Sequence, residues 1–327
     1  MGERVLRANT IGWLKGLACS FLLALVTACA HAPSRPAGDF HQHLFGPGTQ
    51  ELTSGYARVT ARELVPLLDS AGIRYALLLS VAYMFSNPNR PPVANEYTRV
   101  KAENDWTADQ AALYPDRLRA FCAVNPLRDY ALPEIERCSA DPRLGHGLKL
   151  HFGNSDVQLE IPEQLEKVQR VFRAANAHGM AIVVHLHSSV TMKRPYGTTF
   201  ARIFLNDVMP AAPDVPIQIA HLTSSGDFDD PGVGEALDVF VQAIAAGDPR
   251  MKNVYFDMSG ISGMAEPARA AKIAARMRQL GIARILFGSD GAVNGNSPLA
   301  TWRNFRKLPL SDREFRVIEG NVPPYIK

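Results

Sequence analysis

Eight short apolar runs, each followed by a helix-prone stretch, predict an α/β fold: a (β/α)8 TIM barrel in one domain, with extra helices at its C-terminal end. The alternation counts to eight strand–helix pairs between residues 39 and 321. The strand candidates are near-continuous apolar runs such as Ala181-Ile182-Val183-Val184, as expected of strands covered on both faces. A doubly wound sheet could alternate in the same way, but the first turn lacks the glycine-rich pattern that fold favours. No linker, internal repeat or low-complexity segment interrupts the alternation.

Taken in order, strands are expected at 39–44, 74–81, 118–125, 147–152, 180–187, 217–222, 253–259 and 284–290. The β-branched and aromatic content of these runs favours a pleated, buried setting. Helices are expected at 60–71, 96–113, 132–138, 162–177, 198–209, 234–246 and 266–280, with two more near 298–307 and 311–319. The longest loops follow strands one and two, at 46–59 and at 82–95, the second holding three prolines. Of the 327 residues, 46% are apolar and 20% charged, which excludes a disordered tail protein, a collagen-like repeat and a polytopic membrane protein. With 35 Lys and Arg against 32 Asp and Glu, the net charge of +3 gives no reason to expect a nucleic-acid partner.

The N-terminus reads as a targeting segment. Arg4, Arg7 and Lys15 precede an apolar run at 16–28, too short for a spanning helix of about 20 residues and suited to a signal-peptide core of about 7–15. The run ends Leu25-Val26-Thr27-Ala28-Cys29, which resembles a bacterial lipobox, whose cysteine becomes the lipidated first residue. The expected organisation is therefore a lipoprotein signal peptide at 1–28, a tether at 29–38 and the barrel at 39–327. Membrane attachment would run through Cys29. Ala30, in place of an aspartate, points to the outer membrane, with the protein facing the periplasm. An ordinary signal peptide or an uncleaved anchor are the alternatives. Cys122 and Cys138 then remain; an oxidising compartment permits a disulfide between them, and buried free thiols are the other reading.

In such a barrel the chemistry sits at the C-terminal ends of the strands. Six of the nine histidines fall at the ends of expected strands one, four, five and six: His41, His43, His151, His185, His187 and His221. Lys149 precedes His151 by two residues, and strand eight ends in Asp290. One histidine at a strand end is ordinarily structural; this many imidazoles and a carboxylate converging on one face point to a shared centre. Such a mixed nitrogen and oxygen set suits one divalent ion, Zn²⁺ first and Mn²⁺ or Fe²⁺ next.

These residues, with Tyr114-Pro-Asp-Arg117, Gly147-Leu-Lys-Leu, Ile182-Val-Val-His185, Ala220-His221-Leu and Phe287-Gly-Ser-Asp290 in order, resemble the amidohydrolase-related branch of the amidohydrolase superfamily, which includes aminocarboxymuconate-semialdehyde decarboxylase-like enzymes. The resemblance spans residues 39–321. It implies that His41, His43, His185 and Asp290 bind the metal, that His221 moves a proton beside it, and that Asp290 doubles as general base. His185 is preferred to His187, which shares its face. Lys149 has two readings, a carbamylated bridge to a second metal or a substrate-binding or packing residue; the second is favoured. His151 and His187 are a surplus over the common pattern that leaves one metal or two open. Loop residues Arg58, Tyr83, Lys193, Arg194 and Tyr196 are candidates to hold an anionic or aromatic substrate.

The expected activity is hydrolysis of a small amide, lactone or ester by metal-activated water. The alternative chemistry is non-oxidative decarboxylation of an aromatic or enoic carboxylate. A different class of reading is a surface lipoprotein that keeps the barrel for binding or metal storage. The expected partner is a small molecule, carboxylate-bearing substrates included, and the chain is compatible with a homodimer.

Overall fold

Eight parallel strands follow one another in chain order around one sheet: β1 (Gly38–Gln42), β2 (Tyr75–Leu79), β3 (Leu118–Ala123), β4 (Gly147–His151), β5 (Ala181–His185), β6 (Ile217–Ile219), β7 (Val254–Asp257) and β8 (Ile285–Leu286). The computed structural model describes residues 35–53, 58–188, 194–291 and 297–326. The segment expected as a signal peptide, Cys29 and Lys193 lie outside them. No helix among the described residues is long and apolar enough to cross a membrane.

The ring closes through backbone. Phe40 N–H donates to the carbonyl of Phe287 and Asp290 N–H to that of His41, each at 2.9 Å, so the first and last strands satisfy each other. Gly288 stands at this seam, where an added Cβ would come within 2.7 Å of the Cβ of His41. Glycine is what allows the two backbones to approach.

Alternation along the strands sorts apolar side chains into two layers. Leu78, Leu148, Ile182, Val184 and Phe256 face outward into a core shared with the helices. Leu77, Leu79, Phe121, Ala181, Val183 and Leu286 point into the barrel, where they meet Tyr325 and Ile326 of the C-terminal turn. The connecting helices include Ala61–Ala71, Glu96–Ala112, Ala131–Ala140, Pro162–Ala177, Pro231–Ala245 and Pro267–Leu280, and Pro298–Phe305 and Asp312–Gly320 follow β8. Four of these begin at proline, whose missing N–H costs nothing in a first turn. The last is closed by a capping box in which the Ser311 hydroxyl accepts from Glu314 N–H while the Glu314 carboxylate accepts from Ser311 N–H.

Three differences from the expected elements have physical causes. The helix expected at 198–209 is α-helical only over Thr198–Ile203; it widens to a π turn over Phe204–Val208 and tightens at Met209–Ala211, where Pro210 has no N–H to continue it. The loop at 82–95 holds a 3₁₀ turn, Ala82–Ser86. Strand β6 stops short of its expected end because the backbone turns left-handed at His221, Leu222 and Thr223 (φ 56°, 48° and 67°), and Asp290, the expected last residue of strand eight, is left-handed too (φ 48°). Non-glycine residues hold that conformation at a cost of about 1–3 kcal/mol each, which the surrounding packing must offset.

The two remaining cysteines are paired: Cys122 of β3 is disulfide-bonded to Cys138 of the following helix, 16 residues away. A loop of that length is worth roughly 3 kcal/mol of stability in the chain-entropy account.

Candidate metal centre

Polar side chains replace apolar ones at the C-terminal end of the barrel interior. Lys149 and His151 of β4, His185 of β5, Gln218 of β6 and Asp257 of β7 are all buried and occupy the inward positions of their strands. On β1 the pairing register shifts between Asp39 and Gln42, an irregularity that breaks simple alternation. His41 and His43 nonetheless converge, their ring centroids 5.1 Å apart.

Each of these imidazoles has one nitrogen committed. His41 Nδ1 lies 2.9 Å from Asp257 Oδ2, and His43 Nδ1 lies 2.7 Å from the carbonyl of Leu79. Both acceptors require an Nδ1–H, so both Nε2 atoms carry lone pairs, and they face each other at 3.2 Å. Two nitrogens about 2.0–2.1 Å from one tetrahedral ion stand roughly 3.3 Å apart. Asp290 Oδ1 is 3.7 Å from His43 Nε2, and His41, His43 and Asp290 form a group with ligand atoms all within 4.8 Å. His185 is not in that tight group. It lines the same cavity, and its Nε2 is buried without a hydrogen-bond partner among the described residues, which an unassisted fold avoids. Burial lowers the pKa of His43 and His185 well below the ordinary value and that of His41 to about 3, so all three are neutral and ready to ligate. The donor set fits a divalent ion.

His221 sits beside this group, its ring centroid 4.7 Å from that of His41 and 4.8 Å from that of His185. Its Nδ1 is tied to the carbonyl of Ser259 at 2.7 Å, which leaves Nε2 for proton transfer. Burial pushes the Asp290 carboxyl up to about 7 and the Lys149 ammonium down to about 8. Lys149 Nζ is 3.2 Å from His41 Nε2. His151 stacks on His185 at 3.9 Å, and its Nδ1 accepts from Asn154 N–H. His187 turns away: its Nε2 meets Asp230 at 3.1 Å and its ring packs on Tyr196.

Asp257 is the residue that sequence reasoning missed. It accepts from His41, from Gln218 Nε2 (2.6 Å), from the backbone of His221 (3.0 Å) and from both the backbone (3.1 Å) and hydroxyl (2.6 Å) of Ser259. Burial alone would raise its pKa, but the contacts with His41 and His221 outweigh that and keep it ionised. The available signal was an acid ending an apolar run, Val254-Tyr-Phe-Asp257, the same signal that singled out Asp290.

The centre opens into a cavity of about 510 Å³, a size that suits a small-molecule ligand. Phe45, Val81, Tyr83 and Met84 line it together with Lys149, His151, His185, His221 and Asp290, the Tyr83 ring lying 5.0 Å from that of His151. Among the described substrate-loop candidates only Tyr83 lines it. Arg58 is exposed, and Arg194 grips Asp156 through two hydrogen bonds and Gln158 through a third. The lining cation of the second loop is instead Arg90, accompanied by Asn87 and Asn89.

A (β/α)8 barrel that gathers imidazoles and a carboxylate at its strand ends is an architecture for metal-assisted chemistry. The chain belongs to the amidohydrolase family, which it matches over residues 39–321. No curated protein matches it by sequence. Among solved structures it is similar to 5-carboxyvanillate decarboxylase from Sphingomonas paucimobilis, with 17% identity over 88% of this chain and 97% of that one and a TM-score of 0.60. It is likewise similar to 2,6-dihydroxybenzoate decarboxylase from Rhizobium (16%, 87% and 96%, TM-score 0.60). A third likeness is to a probable 2-pyrone-4,6-dicarboxylic acid hydrolase from Acinetobacter baumannii (16%, 89% and 98%, TM-score 0.59). At these identities the likeness is one of fold.

Proposed function

We propose that the chain is a metal-dependent hydrolase of a small amide, lactone or ester, its ion held by His41, His43, His185 and Asp290. The observation that carries this reading is the pair of proton-handling groups around Gly260. An added Cβ there would lie 3.2 Å from both Asp290 Oδ2 and His221 Nδ1, so the two side chains flank the same glycine. Hydrolysis needs two proton movements, one off the attacking water and one onto the leaving group, whereas decarboxylation needs one onto carbon. A bound divalent ion supplies Lewis acidity toward a carbonyl and toward water. Asp290, with its carboxyl near 7, can hold the proton from water. His221 Nε2 can hold or pass on the second.

Decarboxylation is the second reading. It is supported by the presence of Tyr83, Phe45 and Arg90 in the cavity lining and by similar folds that act on hydroxybenzoates. A panel of lactones, aryl esters, amides and hydroxybenzoates, run in ¹⁸O water with metal-loaded protein, separates the two. Hydrolysis is expected to place ¹⁸O in the acid product. Carbon dioxide release from a carboxylate, with no ¹⁸O in the remaining product, would replace the hydrolase reading. Stoichiometric metal without turnover across the panel would favour a binding lipoprotein.

The same reading places the enzyme outside the cytoplasm on a lipid anchor at Cys29, and the Cys122–Cys138 disulfide is in keeping with an oxidising compartment. Cys29→Ala is expected to move the protein from the membrane fraction to the soluble fraction. An unchanged distribution would rule out the anchor.

A further inference from the structure

Tyr325 belongs to a short turn, Pro324–Ile326, near the C-terminus. It lies among the inward-facing side chains of the barrel, its ring 5.4 Å from that of Phe121. Tyr75 and Tyr255, at the starts of β2 and β7, flank the same cluster, so the turn plugs the end of the barrel opposite the cavity. Its ring packs apolar surface there, but its hydroxyl is committed elsewhere: it donates to Oε1 of Gln218.

That bond anchors the oxygen end of the Gln218 amide, whose orientation the two acceptors on its nitrogen side set. With Oε1 occupied by a donor, Nε2 faces two acceptors, the carbonyl of Phe40 at 3.1 Å and Asp257 Oδ2 at 2.6 Å. Asp257 Oδ2 in turn receives His41 Nδ1 at 2.9 Å. A hydrogen on Nδ1 leaves His41 Nε2 bare, and Nε2 is the atom facing His43. Gln218, Asp257 and His41 are wholly buried, so no solvent contact substitutes for a missing partner.

We propose that the C-terminal turn is a positioning element for the metal centre: Tyr325, through Gln218 and Asp257, holds His41 in the tautomer and orientation that bind a divalent ion. This rests on the metal reading above. Without the hydroxyl, Gln218 Oε1 is left buried with no donor, and the amide is held against Asp257 from its nitrogen side alone. Partners behind metal-bound histidines commonly change affinity by 10–100-fold when removed; one bond further away, a smaller change follows.

The test is Zn²⁺ affinity of the full-length protein, measured by competition with a chelator of known strength. Tyr325→Phe keeps the ring and its packing, and is expected to weaken Zn²⁺ binding by roughly threefold to tenfold while the metal-free melting temperature falls by only a few degrees. In an Asp257→Asn background the same change is expected to add nothing, because the chain it acts through is already cut. Gln218→Met serves as that background if Asp257→Asn does not fold. Parent-like affinity in Tyr325→Phe, or a loss that multiplies in full with Asp257→Asn or Gln218→Met, overturns the proposal. A parent protein that binds no Zn²⁺ overturns the metal reading instead. The positioning role is then read in the metal-free protein from the ¹⁵N shifts of His41: Nδ1–H in the parent and a tautomer mixture in Tyr325→Phe, with identical spectra overturning it.

Discussion

His221→Ala is expected to keep one bound metal ion per chain and to lose roughly 10²–10⁴-fold in kcat, the usual range for a lost proton-transfer group. The imidazole touches the ligand group from the side, with its Nδ1 spent on the carbonyl of Ser259, so removing it takes away Nε2 and leaves the rings of His41, His43 and His185 where they are. The backbone is the complication. His221 holds φ at 56°, and its N–H, which any residue but proline retains, donates to Asp257. Alanine tolerates that conformation less well than asparagine, which enters the left-handed region more readily. His221→Asn is therefore the companion variant, with the same expected loss of turnover and a smaller change in melting temperature. Metal content by elemental analysis and kcat on one hydrolysed substrate are the two readouts. Parent-like turnover in both variants would remove His221 from the reaction.

The second large effect is expected at His41. His41→Ala should leave less than about a tenth of the parent's bound metal after dialysis, since the lost Nε2 is one of three donors in the tight group. It should also lower the melting temperature, because Asp257 stays buried and charged with one donor fewer; losing a hydrogen bond to a charged group costs about 1.5–3 kcal/mol. His185→Ala makes a useful contrast. Its Nε2 has no hydrogen-bond partner among the described residues, so the same loss of metal is expected with a much smaller loss of metal-free stability. Stoichiometric metal in His41→Ala would show that the ion, if one binds, is held elsewhere.

The barrel was legible in the sequence because each buried parallel strand must be apolar on both faces, and runs such as 181–184 announce that without any knowledge of their neighbours. The site was legible where one polar residue ends such a run, as at His43, His185, His221 and Asp290. What stayed hidden depends on how separate segments meet. His185 and His187 share a face on any straight strand, and only the end of β5 at His185 sends His187 to Asp230. Arg194 looks like a free cation in a loop until Asp156, 38 residues earlier, closes on it. Asp257 ends a run as plainly as Asp290 does, but its meaning comes from His41, 216 residues away. Tyr325 carries no local signal at all, since a tyrosine near a chain end is ordinarily a packing residue.

The seam between β1 and β8 has a consequence in time. The Asp39 carboxylate accepts from Ser289 N–H across 250 residues of chain, and His41 and Asp290 meet through the backbone bond that closes the ring. No nascent or partly folded chain can own the finished centre, because its first and last pieces are contributed by opposite ends of the sequence. Loops this long close late and slowly, so the ion-binding group forms only as the ring completes. A refolding experiment followed by metal uptake should then report the last step of folding, well after helical signal has returned.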